Sequence, residues 1–133
     1  MGLMRHSCES GGCFYNKHVV KFDRWKGFFP RGINFTDIDQ FLEYDFNFLC
    51  IDWKHPCKRE PDKGQDIAYS RLARLDAFTV VIVSGDPETM TCEASMSYKS
   101  DGTRWGWVEH DISGLDQKIL NWRKRIDDLR ITD

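Results

Sequence analysis

Two short acidic clusters carry the residue types for chemistry: Thr36-Asp37-Ile38-Asp39 and, thirteen residues after Asp39, Asp52-Trp53-Lys54. Side chains alternate along an extended strand, so Asp37 and Asp39 share one face, and Asp52 and Lys54 share one face. The intervening residues read as a hairpin in which Tyr44 and Asn47 flank a two-residue turn, Asp45-Phe46. That register sets Asp39 directly opposite Asp52 and Asp37 directly opposite Lys54, all on one face, with Cβ separations of about 4.5–5.5 Å. A slip of one residue would undo the arrangement. Opposed carboxylates repel, and a divalent cation that prefers oxygen, Mg²⁺ first and Mn²⁺ second, relieves that repulsion. A lysine beside such a site can orient and help deprotonate an attacking water, or stabilise charge developing on a phosphate oxygen. The plainer alternative is a surface hairpin with two Asp–Lys pairs, which contributes little energy.

The elements that must hold these residues follow from patterning. From Ile33 to Lys54 the sequence is strand-like: Ile38, Gln40 and Leu42 face one way, and Leu49, Ile51 and Trp53 continue that face after the turn. Pro56 and Pro61 bracket a basic loop, and Asp62 is placed to cap a helix running to about Leu75, with Ala68, Leu72 and Leu75 on its apolar stripe. Phe78 to Ser84 is β-branched and almost wholly apolar, the pattern of a strand buried on both faces, and Gly85-Asp86-Pro87 ends it. Weaker strands are expected at 91–98 and 104–109, joined through Ser100-Asp101-Gly102. Leu115, Ile119, Trp122, Ile126 and Leu129 recur at steps of 4, 3, 4 and 3, which predicts an amphipathic helix over about 115–130. Its other side carries Lys118, Arg123, Lys124, Arg125 and Arg130, either a solvated face or one that contacts phosphates. Residues 1–32 are irregular and close on a turn at Pro30-Arg31-Gly32. The expected architecture is α/β or α+β: a mixed central sheet flanked by helices, in a single domain over 1–133.

Composition bounds the function. With 133 residues, 41% hydrophobic and 30% charged, the chain can bury roughly two-thirds of its unfolded surface without a disulfide framework. Disordered, collagen-like and disulfide-dense classes are excluded. The longest apolar run, Ala77 to Val83, is far too short for a membrane span; Met1 to His6 lack an apolar signal region, and His6 breaks the acylation pattern, so no membrane association is expected. Nineteen basic against twenty-one acidic residues argue against non-specific coating of nucleic acid, though not against nucleic acid held at one local site. Five cysteines, an odd number, read as reduced thiols of a cytoplasmic-type compartment.

The step from Asp39 to Asp52-x-Lys54 resembles the PD-(D/E)xK nuclease superfamily, in which an Asp on one strand and an Asp/Glu-x-Lys on the next form a metal-dependent active site. Gln65 and Tyr69, four apart and so on one helix face, match the Gln-x-x-x-Tyr element of its exonuclease-type members. Gly64-Gln65 is also similar to the Gly/Gln signature of small phage and VRR-type nuclease domains, and the chain as a whole resembles these or Holliday-junction-resolvase-like domains. The resemblance covers about residues 31–84 and implies a restriction-endonuclease-like core, with the 91–109 strands and the C-terminal helix added. It departs from the family in Asp52 for the usual Glu and in Ile38 for the usual Pro, and Asp37 competes with Asp39 as metal ligand. The resemblance implies that Asp39, Asp52 and the main-chain carbonyl of Trp53 hold Mg²⁺, or Mn²⁺, with Lys54 assisting the nucleophile. Gln65 would position the water or phosphate and Tyr69 would support it; Glu9 maps to the superfamily's upstream Glu. The implied activity is endo- or exonucleolytic hydrolysis of DNA, branched or single-stranded, with RNA and pairing into a homodimer left open, in the host cytoplasm if the source is a phage. The alternative is a catalytically degenerate nuclease scaffold that binds nucleic acid or a host protein.

His55, Lys58, Arg59 and Lys63, just after the Asp-x-Lys motif, are placed to contact the phosphodiester backbone, against an ordinary solvated loop. His6, Cys8, Cys13 and His18 have zinc-ligand types, but the spacing is not a standard finger pattern and argues against structural Zn²⁺. Cys50 and Cys57 have only His55 as a neighbouring base, which disfavours cysteine catalysis. Trp105 and Trp107 can stack bases or form an interface for a protein partner, and more commonly such a pair packs between core and surface.

Overall fold

The hairpin forms where the alternation and the turn agree. In the computed structural model, which describes residues 22–33 and 35–132, Asp45 and Phe46 both adopt positive φ, at 52° and 65°. Such a turn matches the right-handed twist of its flanking strands. It joins β1 (Gln40–Tyr44) to β2 (Asn47–Lys54) with Tyr44 opposite Asn47 and Gln40 opposite Ile51, the register expected from the sequence.

The chain divides into two compact units, 1–36 and 37–133. Within the first, 3₁₀ turns occupy Phe22–Trp25 and Pro30–Gly32, and the Trp25 and Phe35 rings lie 5.0 Å apart. Arg31 and Gly32 take φ of 61° and 72°, so the Pro-Arg-Gly turn is present.

The second unit is an α+β fold: a five-stranded mixed sheet in the order β1-β2-β3-β4-β5, with a helix on each face. From β2 the chain crosses through helix α1 (Lys63–Ala73) to β3 (Phe78–Asp86), which lies parallel to β2; β4 (Thr91–Ser97) and the two-residue β5 (Val108–Glu109) add antiparallel. Helix α2 (Ile112–Thr132) follows. Val80 to Val83 are all buried, as the apolar run required of a strand covered on both sides. Leu49, Ile51, Trp53, Val81 and Val83 pack under Leu115, Trp122 and Ile126 of α2, while Cys50, Val80, Ile82 and Met96 pack under Tyr69 and Ala73 of α1. No helix among the described residues is long and apolar enough to cross a membrane.

The structure corrects four local expectations. The first strand begins at Gln40, not near Ile33: 35–38 have no regular structure and the chain bends at Asp39. Helix α1 ends at Ala73 and buries Tyr69 and Ala73, leaving Ala68 and Leu75 exposed. Its axis is set by how Tyr69 wedges against the sheet, edge-on to Tyr98 at 6.1 Å, rather than by the weak apolar stripe. The strand expected over 104–109 shrinks to Val108–Glu109 plus an isolated Tyr98–Arg104 bridge. Leu129 of α2 is exposed, because the helix runs past the last turn that meets the sheet.

Candidate functional site

Strand alternation turns Asp52 and Lys54 toward the α1 side, since their neighbours Ile51 and Trp53 face α2. Asp52 is only 3% exposed. The Lys54 ammonium lies 3.2 Å from Asp52 Oδ2 and donates to Gln65 Oε1 at 2.6 Å. Gln65 is held there by the helix start: Asp62 Oδ1 accepts from the Gln65 N–H at 2.9 Å, capping the first turn and turning its side chain to the sheet. One turn further on, the buried Tyr69 donates its hydroxyl to the main-chain carbonyl of Asp37 at 3.2 Å.

Asp39 reaches the site from the bend rather than from the strand ladder. Its Oδ2 accepts from the Trp53 N–H at 2.8 Å, taking the bond that a longer β1 would have supplied. In an antiparallel pair the N–H and C=O of one residue point to the same side, so the Trp53 carbonyl points to the same edge of β2 as its N–H. The Trp53 side chain lies on the opposite face, its Nε1 donating to Gln40 Oε1 at 2.8 Å.

The electrostatics follow from this crowding. Burial, followed by the hydrogen bond and negative charge of Asp39, pushes Asp52 up to about 6, against the opposing pull of Lys54. The ammonium sits at ion-pair distance yet not in line for a hydrogen bond, so Asp52 Oδ2 is a buried oxygen with no hydrogen-bond partner among the described residues. Tyr69 is held well above its ordinary ionisation range, first by burial and then by the charges of Asp52, Asp37 and Asp39.

Asp39, Asp52, Lys54, Gln65 and Tyr69 therefore converge. Asp37 contributes its main-chain carbonyl, and its expected position opposite Lys54 is not realised, because β1 stops before reaching it. Glu9 and the His6, Cys8, Cys13 and His18 run lie outside the described residues. In the basic loop, His55 Nδ1 accepts from the Cys57 N–H at 3.1 Å and caps the turn Pro56–Lys58. Arg59 stacks over the Trp107 ring at 4.4 Å and lies 3.8 Å from Glu93, whereas Lys58 and Lys63 are exposed.

A groove of about 730 Å³ opens beside Asp39, lined by Asp39 just before β1, by Trp53, Lys54 and His55 at the end of β2, and by Asp86 and Glu93 from β3 and β4. Sequence reading missed Glu93. It reaches the α1 side because the β3–β4 register shifts between Ser84 and Gly85, and Ser84 Oγ donates to its Oε1 at 2.9 Å. Gly85 was the available signal, since glycine inside a strand often marks a bulge.

Among the described residues no three His, Cys, Asp or Glu side chains gather into a cluster of metal-ligand type. The Asp39–Asp52 pair nonetheless suits Mg²⁺, which is commonly held by one or two carboxylates and otherwise keeps its waters, and Asp52 Oδ2, ion-paired with Lys54 but without a hydrogen bond, is an oxygen available to it. Compared with protein-family models, curated proteins and solved structures, the chain gives no match to any of them.

Proposed function

We propose that this chain is a Mg²⁺-dependent nuclease of the PD-(D/E)xK type that hydrolyses phosphodiester bonds in DNA. The observation that carries the reading is the buried Asp52 beside Asp39, with one oxygen unsatisfied and Lys54 and Gln65 at its edge. A purely structural ion pair has no use for a second carboxylate that raises the cost of burying the first.

Asp39 and Asp52, with the Trp53 carbonyl, are the oxygens that would hold the ion. Bound there, Mg²⁺ would supply a water of lowered pKa and positive charge against the phosphate oxygens. Lys54 presents an ammonium to the same space, where it would steady a hydroxide or charge developing on phosphate. Gln65 fixes the Lys54 side chain through Oε1 and keeps its amide N–H donors for a water or phosphate oxygen. Tyr69 pins the Asp37 backbone, and with it the bend that delivers Asp39. Lys58 and Lys63, exposed near the rim, are available to the sugar–phosphate backbone.

The test is cleavage of fluorescent single-stranded, duplex and four-way-branched DNA with Mg²⁺, Mn²⁺ or EDTA, by the wild type and by Asp52→Ala and Lys54→Ala. Metal-dependent cutting lost in both variants is the expected result. A folded wild type that cuts no substrate and takes up no Mg²⁺ would refute the enzyme and leave a nucleic-acid- or protein-binding scaffold.

A further inference from the structure

On the other face of the sheet, α2 leaves part of the strands uncovered. A groove of about 1170 Å³ lies between α2 and the segment 99–108, with Val81 and Ser97 in its floor. One wall carries Ile119 and Trp122 of α2; the other carries Trp105, which is 58% exposed. The walls are thus apolar and aromatic, the usual character of a site for a small organic ligand.

The polar groups are few and organised. Lys118 Nζ donates to Ser95 Oγ at 3.0 Å, and Ser95 Oγ lies 2.6 Å from His110 Nε2. Lysine only donates, so the serine oxygen accepts from it, and the His110 ring bridges that oxygen to the Asp111 carbonyl, which lies 2.8 Å from Nδ1. Ser95 is fully buried, so this chain does not present a nucleophile; it fixes the Lys118 ammonium at the groove wall. Among the described residues Ser95 is the hydrogen-bond partner of that ammonium, and burial lowers the Lys118 pKa. Lys99, which lies over the Trp105 ring at 4.4 Å, and Arg125 add positive charge to the lining, against Asp101 alone.

We propose that this groove binds an aromatic carboxylate, its ring system against Trp105 and Ile119 and its carboxylate on the Lys118 ammonium. The anion supplies a counter-charge that Lys118 does not find among the described residues, and the rings cover the exposed face of Trp105. The site lies across the sheet from Asp39 and Asp52, so it stands independently of the nuclease reading.

The experiment is a titration of the full chain with 2-naphthoate and, separately, with the uncharged 2-naphthylmethanol, followed by the tryptophan indole N–H signals in NMR. Saturable shifts at Trp105 are expected, with the acid binding at least about tenfold more tightly than the alcohol, a ratio worth about 1.4 kcal/mol. Lys118→Met should reduce the acid to the affinity of the alcohol, Lys118→Arg should keep the preference, and Asp52→Asn should leave it unchanged. Equal affinity of acid and alcohol for the wild type, the absence of saturable shifts, or a preference that survives Lys118→Met in a folded protein would each overturn the proposal. The acid–alcohol comparison is made on the wild type, so a variant that fails to fold does not shield it.

Discussion

Replacing Asp52 by Asn should stabilise the protein at pH 8 and do nothing at low pH. An ordinary aspartate titrates at 3.8, and burial beside Asp39 raises Asp52 to about 6. Between those values the folded protein holds a proton that the unfolded chain has released, so stability falls as pH rises through this window. Above about 6 the buried carboxylate is ionised and its cost is fully present; below 3.8 both states are protonated and the cost vanishes. At 1.36 kcal/mol per pH unit the gap corresponds to roughly 3 kcal/mol. Lys54 already opposes the shift, so that figure includes the ion pair which Asn gives up. Urea unfolding at pH 3, 6 and 8 should therefore show Asp52→Asn more stable than wild type by about 2–3 kcal/mol at pH 8 and equal to it at pH 3. On the proposed reading, Mg²⁺ at about 100 times its dissociation constant returns about 2.7 kcal/mol to the wild type and nothing to the variant. A variant that is less stable than wild type at pH 8 would refute the reasoning: Asp52–Lys54 would then be a net stabilising pair, and the acidic site would have no strain for a cation to relieve.

Two further substitutions test the scaffold. Phe46 sits at φ 65° in the hairpin turn with its ring 84% exposed, so Phe46→Gly, which creates the favoured Asp-Gly turn, should gain about 1 kcal/mol in thermal unfolding; a loss would mean that the ring packs in solution. At the β3–β4 bulge, a Cβ on Gly85 would come 2.3 Å from the Thr91 carbonyl oxygen and 2.6 Å from Cys92 Cα. Backbone cannot yield there cheaply, so Gly85→Ala should cost about 2 kcal/mol or more by chemical denaturation and displace Glu93; unchanged stability would show that the two strands separate more easily than the close contact implies.

Much of the candidate site was legible because it depends on short-range rules. A two-residue turn and strict alternation dictate the β1–β2 register, and that register brings residue 39 to the level of residue 52 whatever else the chain does. Asp62 caps α1 through a contact three residues long, which places Gln65 and Tyr69 on a common face. The unbroken β-branched run of β3 allowed no reading but a strand covered on both sides.

Tertiary structure decided what those rules leave degenerate. Of the α1 stripe read from hydropathy only Leu72 packs against the core, because a helix with few large apolar residues takes its rotation from the sheet it meets, and Tyr69 and Ala73 fit there. Asp39 left the strand because its side chain could take the Trp53 N–H, a bond that exists only once β2 is in place. The arrival of Glu93 beside the site required the bulge opposite Gly85, and the groove of Lys118 required α2 to lie across only part of the sheet. Periodicity and capping are properties of neighbouring residues and can be read along the chain. Burial, the shift of Asp52 and the seating of Lys118 on Ser95 are sums over atoms distant in sequence, and only packing determines which of those atoms meet.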